Sequence, residues 1–220
     1  MDNLIYILFI CVVAPLLLML PLLKKRSKLV MGYMIIGIVL SLFISEVNSI
    51  LLNLFDGALL YVTTTITPIS EEIFKSFPIL FYACVFSDKK ERLIPIALAT
   101  GIGFGLFENT VILVQSLVQD VGSVTIGWAI IRGFSTALMH GVCTMAVGFG
   151  ISFVKKKKKL FYCGTFALLI MAMIYHGIYN MLVQSDYRWL GFVLPAVTYI
   201  PILLQQYNYF KSQKTKCFYD

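Results

Sequence analysis

LIPIALATGIGFGLFENTVILVQSLV, residues Leu93–Val118, is the stretch that decides the fold. It is an apolar block whose single ionisable residue is Glu108, bounded by Lys89, Lys90 and Arg92 before it and Asp120 after it. A helix needs roughly 20 apolar residues to cross the hydrocarbon core of a bilayer. This block meets that length and holds one carboxylate where lipid should be.

The same pattern repeats on both sides. Apolar blocks at Leu4–Leu23, Leu29–Leu52, Leu59–Phe86, Ile126–Val154, Leu160–Val183 and Trp189–Tyr209 read as further helices. The chain is 59% hydrophobic and 13% charged, whereas soluble domains average about 25% charged residues. The expected fold is therefore all-α, a polytopic membrane protein of about seven transmembrane helices forming one membrane-embedded domain over residues 1–220. The third block is overlong for one straight crossing. Pro68 is expected to break it, with a membrane helix starting near Ile69 and Ser70 helping to cap it.

The net charge of +7 suggests nucleic acid until the charges are placed. Most basic residues lie in four clusters: Lys24 to Lys28, Lys89 to Arg92, Lys155 to Lys159, and Lys211 to Lys216. These sit at alternate ends of the apolar blocks, while Asp2, Asp56, Asp120 and Asp186 mark the opposite ends. That is a positive-inside pattern, with the N-terminus outside and the C-terminus cytoplasmic. The basic balance reports orientation and attraction to anionic lipid, and no nucleic-acid partner is expected. The first block is followed rather than preceded by its basic residues, so it reads as a span and not as a signal peptide. The five cysteines are scattered without a CxxC pair, which excludes a disulfide framework or a zinc knuckle.

Eight ionisable groups fall inside the spans: Glu46, Glu71, Glu72, Lys75, Glu108, Arg132, His140 and His176. A charged side chain at a helix centre costs at least ~2.5 kcal/mol on insertion scales, so such residues face one another, a wet cavity or a metal. Counted from the cytoplasmic ends of their helices, Glu72, Glu108, His140 and His176 all lie at roughly 20–24 Å. Their helices run in alternating directions, so the shared level is not a trivial consequence of sequence position. Glu72 and Lys75 are i and i+3, Glu71 and Lys75 are i and i+4, and His176 lies one turn from Asn180. Arg132, Thr136 and His140 climb one side of the fifth helix. Gly101, Gly103 and Gly105 permit close helix approach beside Glu108.

Two imidazoles and a carboxylate form a ligand set that suits zinc with a fourth position for water. A further carboxylate can take the proton of that water during attack on a peptide carbonyl, and Asn180 and Arg132 can steady the oxyanion. No HExxH is present, which excludes the soluble zincin pattern. Duller readings exist for each residue. A lone membrane histidine is more often a hydrogen-bonded packing residue. Glu71 and Glu72 also suit the outer interface with Lys75 as a neutralising partner, and Arg132 is close enough to a helix end to snorkel. Glu46, with Asn48, belongs near the outer headgroups and is left out of the site. Buried acids and histidines also serve relays in transporters or proton-coupled proteins, although no internal repeat accompanies them here. A non-catalytic membrane scaffold is the third reading.

The chain resembles the PrsW-type family of intramembrane metalloproteases, in the superfamily that includes CAAX prenyl endopeptidases and bacteriocin-processing proteins. The matching pieces are Glu71-Glu72-Ile73-Phe74-Lys75, Gly103 to Asn109, Arg132 with His140-Gly141, and His176-Gly177-Ile178-Tyr179-Asn180, in the family's order. The resemblance implies a zinc-dependent protease in the bacterial plasma membrane that cuts membrane-tethered proteins, anti-sigma factors being the best-known substrate class. Its core would span about residues 66–183, with additional transmembrane helices in 1–56 and 189–209. Carried over, Glu71 is the water-activating base supported by Glu72, and Asn180 is a transition-state stabiliser. Glu108, His140 and His176 form the metal site, although many superfamily members have histidine where this chain has Glu108.

Overall fold

The computed structural model describes residues 4–19, 27–119, 124–153 and 164–216. Among them no strand occurs, and the helices run α1 (4–19), α2 (Ser27–Leu54), α3 (59–85), α4 (Lys90–Gln119), α5 (126–151), α6 (Phe166–Val183) and α7 (Arg188–Lys216). The expected all-α architecture is present. Four segments are long and apolar enough to cross a membrane: Lys28–Leu54, Lys90–Val118, Ile126–Ile151 and Phe166–Val183. Helix α3 has the length, but any 18-residue window of it contains Glu71, Glu72 and Lys75 together. Its charges are the site itself. Parts of the first and sixth expected spans, at residues 20–23 and 160–163, lie outside the described residues.

Helices α4 and α5 form the centre, with α2 packed on the far side of α4 and α3 and α6 against α5. The glycines of α4 explain the close packing. Gly101 faces the His140 carbonyl, and Gly105 faces the Cα of Ala137, both on α5. Gly103 points the opposite way, against the Met34 carbonyl of α2. Spaced two apart, the three glycines thus serve two neighbours, as membrane helices without side-chain bulk allow. The outward faces are apolar: Phe77 and Phe81 on α3, and Met171, Ile174 and Ile178 on α6, are exposed. A tight turn joins α2 to α3, with Asp56 and Gly57 both at positive φ and the Gly57 N–H closing back onto Leu52 O at 2.9 Å.

Two expectations for α3 are corrected. Pro68 does not break the helix, and Ser70 does not cap it. Instead, a wide π turn at Val62–Ile66 runs directly into the α-helix Thr67–Val85. Pro68 then sits in the first turn of the α segment, inside a helix that continues through it. The Ser70 hydroxyl has other partners, Thr67 O at 2.9 Å and Asn48 Oδ1 at 3.2 Å. Another π turn, Ala129–Phe134, precedes the α segment Ser135–Ile151 of α5, as a π turn at Phe9–Val13 also interrupts α1. Inserted residues of this kind recur at functional sites because they re-aim everything that follows.

Candidate active site

Four helices deliver one buried polar cluster. Helix α3 supplies Glu71, Glu72 and Lys75; α4 supplies Glu108; α5 supplies His140; α6 supplies His176. Apart from the half-buried Glu108, all of them are buried. The common depth expected from helical rise is therefore a real meeting point.

The contacts form a chain. Lys75 Nζ lies 2.6 Å from Glu72 Oε1 and 2.8 Å from His140 Nδ1, and 4.7 Å above the Phe104 ring. His140 Nε2 lies 2.6 Å from Glu108 Oε2. His176 Nδ1 lies 2.9 Å from the same Glu72 oxygen that binds Lys75. The two imidazoles meet edge to face, 4.8 Å between centroids. An ammonium only donates, so Lys75 makes His140 Nδ1 an acceptor and places that ring's proton on Nε2, directed at Glu108. Glu72 similarly fixes the other ring, with Nδ1–H of His176 donating to the carboxylate and Nε2 left as an acceptor.

His176 Nε2 faces Glu71 Oε2 at 3.9 Å, and Glu71 Oε2 has no hydrogen-bond partner among the described residues. Two buried acceptors turned toward each other repel unless something positive lies between them. Glu71, His140 and His176 each offer a ligand atom, all within 4.8 Å of one another. Zinc binds imidazole nitrogen and carboxylate oxygen at about 2.0–2.2 Å, so a cation fits the gap between Glu71 and His176. Two nitrogens and an oxygen beside a further carboxylate are a donor set that suits a zinc ion with one position left open.

The remaining sequence candidates divide. Glu108 joins the cluster through His140. Asn180 is buried, but its Nδ2 donates to the Thr63 carbonyl at 2.9 Å rather than pointing to a carboxylate or histidine. Arg132 makes no ion pair with a described carboxylate, and its Nη1 is buried without a partner among the described residues. Glu46 is exposed and outside the cluster, as expected. Asn48, which sequence reading left beside Glu46, belongs to the site: its Nδ2 donates to Glu71 Oε1 at 3.2 Å. Nothing in the spacing could pair it with a residue on the next helix.

A family profile described as PrsW family intramembrane metalloprotease matches residues 25–205. The chain belongs to the PrsW family. Among curated proteins it is similar to "Protease PrsW" of Clostridioides difficile (strain 630), with 26% identity over 196 residues, covering 83% of this chain and 77% of that protein. No solved structure matches it. Membership makes this PrsW-family chain a protease and an integral membrane protein. The buried Glu71, His140 and His176 form a group that could hold a metal ion, and the family description is of a metalloprotease. The four sequence pieces that carried the resemblance lie within the matched region, and all contribute to the cluster or to the helices that hold it.

Proposed function

We propose that this PrsW-family protease is a zinc-dependent endopeptidase of the bacterial plasma membrane that cuts single-span proteins near their extracytoplasmic side. The observation that carries it is the buried Glu71–His140–His176 group, with the unpartnered Glu71 Oε2 turned toward His176 Nε2 at 3.9 Å. Seven spans with the N-terminus outside, as the lysine clusters support, set that group about 21 Å from the cytoplasmic end of α3, in the outer half of the bilayer.

In this reading Glu71, His140 and His176 would hold the ion, His140 through Nε2 once it gives up the proton directed at Glu108, because Lys75 occupies Nδ1. A bound zinc supplies a water of lowered pKa and polarises the scissile carbonyl. Glu108 abuts the same nitrogen of His140 and is the least enclosed carboxylate of the cluster, its side chain 24% exposed against 4% or less for Glu71 and Glu72. We therefore place Glu108 as the base that accepts the water proton and returns it to the leaving amine, exchanging the roles of Glu71 and Glu108 relative to those the resemblance implies. Glu72 orients His176 through Nδ1, as carboxylates behind metal-bound histidines do. Lys75 neutralises Glu72 and steadies His140. Of the two candidates for the oxyanion, Arg132 keeps a buried N–H free, whereas an amide N–H of Asn180 is engaged. The substrate is a membrane-tethered protein, of which anti-sigma factors are one class.

The test is cleavage of a single-span substrate by purified protein in liposomes, with zinc measured on the same samples. Glu71→Ala and His176→Ala should lose both metal and cleavage, and Glu108→Gln should keep the metal and lose cleavage. Full cleavage by Glu71→Ala and His176→Ala would end the reading.

A further inference from the structure

The HGIYN stretch of α6 contains two residues, Tyr179 and Asn180, that sit one turn beyond His176 and direct their hydrogen bonds away from the carboxylates and the other histidine of the cluster. Both instead reach main-chain oxygens of the two π turns that precede the site. On α3 the Thr67 N–H bonds back five residues, to Val62 O. In that register the next carbonyl, Thr63 O, would be served by residue 68, which is Pro68 and has no N–H. Asn180 Nδ2 fills the vacancy at 2.9 Å. Gly177, one turn earlier, makes the approach possible, because a Cβ there would stand 2.7 Å from Thr64 O.

On α5 the arrangement is parallel. The Ser135 N–H bonds back five residues to Ile130 O, bypassing Ile131 O. Ile131 O accepts the Ser135 hydroxyl and also the Tyr179 hydroxyl at 3.2 Å. The Tyr179 oxygen lies 2.8 Å from the Ser135 hydroxyl and 2.7 Å from that of Thr136, which itself donates to Arg132 O. Tyr179, Ser135 and Thr136 are all buried.

A π turn inserts one residue, and so rotates all that follows by about 100° relative to an uninterrupted helix. Glu71 and Glu72 follow the π turn of α3, and His140 follows that of α5. The faces that these residues present therefore depend on both turns keeping their width. We propose that Tyr179 and Asn180 are positioning residues: from the helix that carries His176, they clamp the bypassed carbonyls of both π turns and so set Glu71 and His140 against His176. Asn180 acts on the main chain of α3 and not on the oxyanion. This rests on the metal-site reading for its consequence, but its geometry is independent of it.

The experiment combines hydrogen exchange with cleavage kinetics on the full-length protein in liposomes, using Asn180→Ala, Pro68→Ala, their double variant, and Tyr179→Phe. Exchange requires neither metal nor substrate. Asn180→Ala should speed exchange of the amides at 62–72 and leave 129–136 unchanged, and Tyr179→Phe should do the reverse. In cleavage, Asn180→Ala should lower kcat about tenfold with KM little changed, the order expected for one unsatisfied buried carbonyl. Pro68→Ala provides a main-chain N–H for the exposed carbonyl. The double variant should therefore recover slow exchange and most of kcat. A double variant as slow in cleavage as Asn180→Ala would overturn the proposal and return Asn180 to the oxyanion, as would unaltered exchange at 62–72 in Asn180→Ala. Wild-type protein without zinc or cleavage would sink the metal-site reading instead, and the exchange pattern would still decide the clamp.

Discussion

Adding one methyl group at Gly105 tests how tightly α4 and α5 hold the site. A Cβ there would lie 2.9 Å from both Ala137 Cα and His140 Cδ2. Carbon atoms pack at about 3.5–4.0 Å, so the helices must part, or the imidazole turn, by about 0.6–1 Å. One of the two obstacles is main chain and cannot swing aside. Overpacking of this kind costs about 1–3 kcal/mol of stability, which a folded membrane protein can survive. Catalysis is less tolerant, because a misplacement of about 1 Å is worth about 10²-fold in rate. Gly105→Ala is thus expected to remain folded, by circular dichroism and gel filtration in detergent, while kcat/KM for a tethered substrate falls by about 10²-fold. Gly32→Ala is the control, since nothing lies within 4 Å of a Cβ at that position. A Gly105→Ala protein that cleaves at the wild-type rate would refute the claim that His140 is held by close helix contact.

Lys75→Met leaves the buried Glu72 carboxylate without its cation, and breaking a buried pair in this way should destabilise the protein by about 3–5 kcal/mol. Thermal unfolding in detergent measures the loss, and the double variant Lys75→Met with Glu72→Gln should regain part of it. Asn48→Ala removes the hydrogen bond to Glu71 Oε1 together with the one accepted from the Ser70 hydroxyl, and should reduce kcat several-fold without loss of zinc, read by elemental analysis beside the cleavage assay. Glu46→Gln, at an exposed position, should leave kcat and KM within about twofold of wild type. Removal of metal by a chelator should abolish cleavage, and zinc should restore it, with helical content unchanged in the far-ultraviolet spectrum throughout.

Much of this arrangement is legible in the residues because the bilayer restricts what a chain can do. Apolar length gives the helices, and helical rise brings Glu72, Glu108, His140 and His176 to one level before any contact is known. The i, i+3 spacing of Glu72 and Lys75 appears in the structure as a 2.6 Å ion pair. What stayed hidden was set between helices rather than along one. Asn48 reaches Glu71 from the preceding helix, and no spacing rule connects them. The π turns of α3 and α5 were hidden as well, since the side chains that reach their carbonyls come from the distant helix α6. Pro68 therefore read as a break, when a donor on a distant helix lets the chain pass through it. Depth also could not decide which glutamate faces which nitrogen. Glu108 meets His140 and Glu71 faces His176, a division fixed by the rotation of α3 and α4 about their own axes.

X-ray absorption at the zinc edge of purified protein, with the metal quantified per chain, addresses the centre of the account. One zinc per chain is predicted, with a nitrogen and oxygen shell at about 2.0–2.1 Å and outer-shell scattering from two imidazoles that is lost when His140 and His176 are both replaced by alanine. Protein that cleaves its substrate without zinc, or a sulfur shell at about 2.3 Å pointing to cysteine ligands, would contradict it.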